Sequence, residues 1–174
     1  MRSRWTAWTQ VFLAFFVGFV LLLSLYFQYV NGLEPCPLCY MQRLCLMMLF
    51  GLVVLTACCL KKPRAMQRML LLQWMFAVFG LYFSSRQWWL QSWVTPDYAL
   101  CLPGLTFVLR YFQWQDLLPM FLWGSATCAA VEWRGLGLSM AAWSTLVFVF
   151  IIAAIGHLLI KLWFYPVNDG GVGE

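Results

Sequence analysis

Cys36 and Cys39 stand three positions apart in the stretch E-P-C-P-L-C-Y-M-Q-R, residues 34–43, and Arg43 follows the second thiol by four. A disulfide at this spacing closes so short a loop that it adds little chain-entropy stabilisation. C-x-x-C pairs are more often redox pairs, because a helix N-terminus can favour one of the two thiolates. An apolar run opens near Leu38, which places Cys39 in the first turn of the helix it predicts, beside the partial positive charge of that helix end. Arg43 falls on the same helical face one turn further on. It is either a second positive field for the thiolate or a snorkelling anchor to headgroup phosphates. A thiolate at the edge of a membrane, with a cation below it, can meet a water-soluble partner on one side and a lipid-soluble electron acceptor on the other. A quinone fits that acceptor, since its reduction develops an oxyanion that Arg43 can stabilise. No iron–sulfur spacing is present, and His157 alone cannot supply two histidines to a haem.

The elements that must position these groups are membrane helices. The chain has 174 residues, of which 64% are hydrophobic and 10% charged. A soluble domain is about half apolar and about a quarter charged, so the excess excludes an ordinary water-soluble surface. The net charge of +5 sits beside apolar runs and reads as a topology signal rather than a nucleic-acid footprint. Four runs, about 9–29, 38–60, 69–85 and 140–163, come near the roughly 17–25 residues needed to cross about 30 Å of hydrocarbon. The first has no small-x-small cleavage site before Asn31-Gly32 and is longer than a signal-peptide core, so it is a retained helix. The expected fold is an all-α membrane protein: one domain, residues 1–165, built as a four-transmembrane-helix bundle.

Arg2, Arg4, Lys61, Lys62, Arg64, Arg68 and Lys161 flank one end of these spans. By the weight that short basic loops carry, both termini and the 61–68 link are cytoplasmic, and the loops about 30–37 and 86–139 face the other side. The longer loop is broken by Pro96, Pro103-Gly104 and Pro119. Within it, 107–123 spaces Arg110, Gln113 and Asp116 along one stripe of a greasy helix, which predicts a short membrane-parallel helix. The Gly-rich tail 166–174 is expected to be unordered. His157, deep in the last span, is expected to be a packing or helix-contact residue.

Topology sorts the seven cysteines. Cys45, Cys58 and Cys59 fall inside the second span and read as small apolar packing residues. Cys36, Cys39, Cys101 and Cys128 fall on the outer side, which is oxidising in a bacterial cell. Four cysteines allow three connectivities; the division that keeps each pair within its own loop is Cys36–Cys39 and Cys101–Cys128.

The C-P-L-C-Y-M-Q-R stretch opening the second of four spans, and the later run G-S-A-T-C-A-A-V-E-W-R-G-L-G-L-S-M, residues 124–140, resemble the DsbB family of bacterial inner-membrane thiol:quinone oxidoreductases. The resemblance extends over about 8–162. It implies a long periplasmic loop, a ubiquinone or menaquinone as electron acceptor, and a periplasmic DsbA-like thioredoxin-fold protein as partner. On that resemblance Cys101 forms the mixed disulfide with the partner, Cys128 exchanges with Cys36, Cys39 is the thiolate beside the quinone, and Arg43 is the arginine of the quinone site. One departure stands out: where a family member carries a histidine after the third span, this chain reads S-S-R-Q-W-W, residues 84–89. Arg86 or Gln87 is the candidate replacement, Arg86 being taken as the second quinone-site residue. The competing readings are a zinc site made of the four outer cysteines, a structural or assembly membrane protein with inert disulfides, and another four-helix quinone–thiol enzyme related to vitamin K epoxide reductase. Arg43 would oppose a bound cation, and in the last of these folds the C-x-x-C lies near the end of the chain rather than opening the second span.

Overall fold

The protein is seen in a computed structural model that describes residues 2–30, 32, 36–58, 63–93, 121–124, 126–129 and 133–164. Four long helices dominate them: α1 (Arg2–Tyr29), α2 (Pro37–Cys58), α3 (Pro63–Trp93) and α4 (Met140–Phe164). A 3₁₀ turn (Ala126–Ala129) and a two-stranded hairpin, β1 (Arg134–Gly135) and β2 (Leu138–Ser139), precede α4. Cys101, Cys59, most of the stripe 107–123 and the tail after Phe164 lie outside the described residues.

The helices start where local chemistry places them. Pro37 and Pro63 occupy first helical positions, where the missing N–H is no loss. Ser139 caps α4 by accepting the N–H of Ala142 at 3.4 Å. Between the strands, Leu136 and Gly137 take φ of 55° and 82°, the two left-handed residues of a type I′ turn.

α2 packs on α1 and α3, and α3 packs on α4. Along α3 a buried seam runs through Met66, Leu70, Gln73, Ala77, Gly80, Ser84 and Gln87, with Phe83 buried beside it; the seam alternates by four and three in the manner of a coiled coil. Small residues at its middle let α4 approach closely. A Cβ on Gly80 would lie 2.0 Å from the Phe148 ring, which is fully buried. The matching stripe on α4 runs through Ala141, Ser144, Phe148, Ile151, Ile155 and Leu158. The outward faces carry Phe15, Phe19 and Leu22, all well exposed, as suits contact with lipid. α1, α2 and α4 are each long and apolar enough to cross a membrane.

α3 begins six residues before the expected run and continues eight beyond it, so Arg86–Trp93, assigned to the outer loop, are helical. The apolar count falls at Ser84, but S-S-R-Q-W-W-L-Q-S-W contains no Pro or Gly to stop a helix. His157 also departs from expectation. It is exposed on the bundle's outer face, because the seam passes through Ile155 and Leu158 on either side of it.

Two polar layers cross this apolar interior. One joins α1, α2 and α3: Gln73 donates to the Thr56 hydroxyl at 2.7 Å, to the Leu52 carbonyl at 3.2 Å and to the Gln10 side-chain carbonyl at 3.4 Å. The other lies at the opposite end of the bundle and contains the cysteines.

Candidate functional site

Cys36 is the residue before Pro37, so it is the N-cap of α2, and Cys39 is the third helical residue. The Cys36 carbonyl accepts the Tyr40 N–H at 3.1 Å, closing the first turn, and its Sγ accepts the Cys39 N–H at 3.4 Å. A sulfur here stands where a serine or aspartate oxygen usually caps a helix. N-cap and third-position side chains converge in the geometry of a capping box, which is why the two sulfurs meet: Cys36 donates its S–H to Cys39 Sγ at 3.1 Å. C-P-x-C at a helix start therefore juxtaposes its thiols with no contribution from a distant loop.

The 3₁₀ turn delivers a third sulfur. Cys128 is 1% exposed and hydrogen-bonded to Cys36. The Cys36 thiol is pushed far above the ordinary thiol range, first by that bond to Cys128, then by its bond to Cys39 and by burial. Gly124 makes the approach possible: its φ is +87°, and a Cβ there would come within 2.8 Å of methyls on both Leu38 and Leu90. Only glycine satisfies that backbone and that gap together.

Gln87 on α3 reaches both sulfurs of the pair. It is 5% exposed, and its amide nitrogen donates to Cys39 Sγ at 3.1 Å and reaches Cys36 Sγ at 3.5 Å. Its side-chain carbonyl accepts from Gln42 at 2.7 Å, and the Gln42 carbonyl in turn accepts from the Ser144 hydroxyl at 2.8 Å. Gln42 and Ser144 are functional candidates that the sequence reading passed over. Their polar character is visible in the sequence, but their role depends on α2, α3 and α4 meeting at one level, which the sequence does not show.

The two arginines are engaged elsewhere. Arg43 turns to α1, donating to the Ser24 hydroxyl at 2.9 and 3.2 Å, to the Ser24 carbonyl at 3.2 Å and to the Gln28 side-chain carbonyl. Arg86 donates to the Trp123 carbonyl at 3.3 Å, with its guanidinium carbon 5.8 Å from the centroid of the Trp123 ring. It fastens the segment before the Cys128 turn to α3. Cys45 is buried in the core, as a packing role requires. Cys101 lies outside the described residues.

Residues 6–158 match the family model for disulfide bond formation protein DsbB. The chain belongs to the DsbB family. DsbB-family relatives named disulfide bond formation protein B include one from Nitrosococcus oceani, 33% identical and aligned over 100% of this chain and 98% of its own. One from Marinobacter nauticus is 38% identical over 97% and 98%, and one from Stutzerimonas stutzeri is 36% identical over 88% and 92%. Membership in the DsbB family, together with three helices able to span a bilayer, makes this a membrane protein of disulfide bond formation.

Proposed function

We propose that this protein reoxidises a periplasmic DsbA-like thioredoxin-fold protein by disulfide exchange and passes the electrons to a membrane quinone, either ubiquinone or menaquinone. The observation that carries this reading is the series of three sulfurs, Cys128 on Cys36 and Cys36 on Cys39, at one end of the bundle. In the first exchange, a partner thiolate attacks Cys101 of a Cys101–Cys128 disulfide and releases Cys128. The second partner thiol then displaces Cys101, leaving the partner oxidised and this pair as two thiols. In the second exchange, Cys128 attacks Cys36 of a Cys36–Cys39 disulfide and releases the Cys39 thiolate; Cys101 then attacks Cys128 and releases Cys36. Both exchanges conserve electrons and need only thiolate attack on a disulfide sulfur.

Reclosing Cys36–Cys39 gives up two electrons and two protons, which is the chemistry a bound quinone accepts. The donor set suits one: the Gln87 amide at Cys39, and the Arg43 guanidinium one turn along α2. Tyr40 and Leu44, about half exposed on the outward face of α2, leave this region open to lipid. Arg86 acts in this reading through Trp123, as part of the wall.

The topology completes the proposal. α3 has 31 residues, about 46 Å at 1.5 Å per residue, and packs on two span-grade helices, α2 and α4, which supports reading it as the fourth crossing. The basic residues mark the cytoplasmic end of a bacterial inner-membrane protein, with both termini there and the cysteines on the periplasmic side. The test is turnover of purified protein with a reduced DsbA-like protein and a ubiquinone or menaquinone analogue. Partner thiols should disappear in step with quinone reduction; a partner that stays reduced with both quinones would reject the function.

A further inference from the structure

The cysteine-end polar layer is a chain of hydrogen bonds with a direction. Ser144 on α4 donates to Gln42 on α2, Gln42 donates to Gln87 on α3, and Gln87 donates to Cys39, over 2.8, 2.7 and 3.1 Å. Each glutamine carries its acceptor and its donor on the same carbon, so assigning one end of an amide assigns the other. Reversed, Gln87 would turn its carbonyl oxygen toward the sulfur. A thiolate can only accept, and a carbonyl facing it is repulsive. The orientation of Gln87 therefore matters most when Cys39 is ionised, and Gln87 cannot set that orientation alone, because its amide is close to symmetric in shape.

We infer that Ser144 and Gln42 are positioning residues that hold the Gln87 amide with its N–H toward Cys39. The inference rests on the proposed role of Cys39 as the reacting thiolate. Gln42 and Gln87 are 7% and 5% exposed, so water does not compete for their amides. Ser144 stands at the start of the chain: its hydroxyl can donate or accept, and here it donates to the Gln42 carbonyl, which is the arrangement that leaves the Gln42 N–H for Gln87. The chain conveys orientation rather than protons, since neutral amides do not relay them.

Among the described residues, the other ionisable groups near Cys39 lie on several elements. On α2 and its cap they are Cys36, the outward-facing and half-exposed Tyr40, and Arg43, which is turned to Ser24 and Gln28 of α1. The 3₁₀ turn brings Cys128, bonded to Cys36. Arg86 on α3 is held by Trp123. Tyr26 and Tyr29 on α1 are exposed, and the titratable residues of α4, His157 and Lys161, lie toward its far end.

The test is the pH profile of Cys39 alkylation by iodoacetamide in the reduced full-length protein in detergent, resolved site by site by mass spectrometry. Ser144→Ala should shift the Cys39 profile to higher pH and slow labelling at neutral pH by roughly 3- to 10-fold, the size expected for one lost neutral hydrogen bond. Cys128 labelling should stay unchanged, and Ser144→Thr should restore the native profile. Gln42→Leu should reproduce the Ser144→Ala shift and carries the test if that variant does not fold. A native Cys39 profile in a folded Ser144→Ala or Gln42→Leu protein, or a Ser144→Thr protein that behaves like Ser144→Ala, would overturn the inference. The measurement uses neither quinone nor partner, so failure of the proposed turnover and failure of this chain are read separately.

Discussion

The Sγ of Cys36 accepts the backbone N–H of Cys39 at 3.4 Å, so one sulfur both caps α2 and contacts the neighbouring thiol. The two roles separate by substitution. Cys36→Ser keeps a capping oxygen and should unfold near the native temperature; Cys36→Ala loses the cap, which costs about 0.5–2 kcal/mol. Both should abolish partner oxidation. Thermal unfolding in detergent beside a partner-thiol assay checks this, and equal stability of the two variants would remove the capping role.

The cysteines should divide by location. Cys45→Ala combined with Cys58→Ala and Cys59→Ala should retain most turnover, since Cys45 packs in the core and has no bond to the sulfur series. Cys128→Ser should accumulate a mixed disulfide between Cys101 and the partner, because the thiol that would resolve it is gone. Non-reducing gels with peptide mapping decide the attachment point, and trapping through Cys36 would reverse the order of transfer.

What the sequence made legible, and what it hid, follows from the solvent. Lipid demands apolar surface outside, so the long apolar runs reveal α1, α2 and α4 to within a few residues, apart from the polar first turns of α1. The interior is apolar as well, so hydrophobic periodicity carries no phase, and the seam through Leu70, Ala77 and Gly80 does not stand out. The C-x-x-C pair was readable because Pro37 and its spacing place both thiols at a helix start. Gln42 and Ser144 were not, because their roles depend on three helices meeting at one level. The hairpin turned on the left-handed Leu136, a conformation that leucine does not advertise.

Gly80 sets the distance between α3 and α4. Its missing Cβ is the space filled by the Phe148 ring, and Phe148 is enclosed on all sides. Gly80→Ala should therefore destabilise by about 1–3 kcal/mol, the usual size of overpacking. Combining it with Phe148→Leu should recover part of the loss, because contacting residues are not additive. Melting temperatures of the two single variants and the double variant check the coupling; simple additivity would show that α4 shifts to accommodate the methyl.

The proton on Cys36 gives a stability profile. Its thiol is raised by the bonds to Cys128 and Cys39 and by burial, so the folded protein keeps this proton to higher pH than the unfolded chain does. Above the ordinary thiol range, about 8.5, the unfolded state binds fewer protons than the native state, and stability falls as pH rises. The reduced protein should therefore lose melting temperature between pH 8 and pH 10 more steeply than Cys36→Ser, in runs of roughly matched ionic strength. Parallel curves would show that Cys36 ionises alike in both states.

Arg43 is held to α1 through Ser24 and Gln28, so its charge is fixed in place rather than free to follow a headgroup. A planar guanidinium serves the hydroxyl and carbonyl of Ser24 and the side chain of Gln28 at once, which a lysine ammonium on a flexible stem does not. If Arg43 stabilises developing charge on a quinone oxygen, Arg43→Lys should weaken apparent quinone affinity moderately and Arg43→Ala strongly. Ser24→Ala, which removes the hydroxyl contacts but leaves the backbone carbonyl, Gln28 and the charge, should fall between the native protein and Arg43→Lys. Mixed-disulfide formation through Cys101 should stay near native in all three, because that exchange precedes the quinone step. Quinone titration at saturating partner, set against partner titration at saturating quinone, separates the steps. A loss confined to the partner titration would assign Arg43 to docking and return the search for the quinone contact to Gln87 and its neighbours on α3.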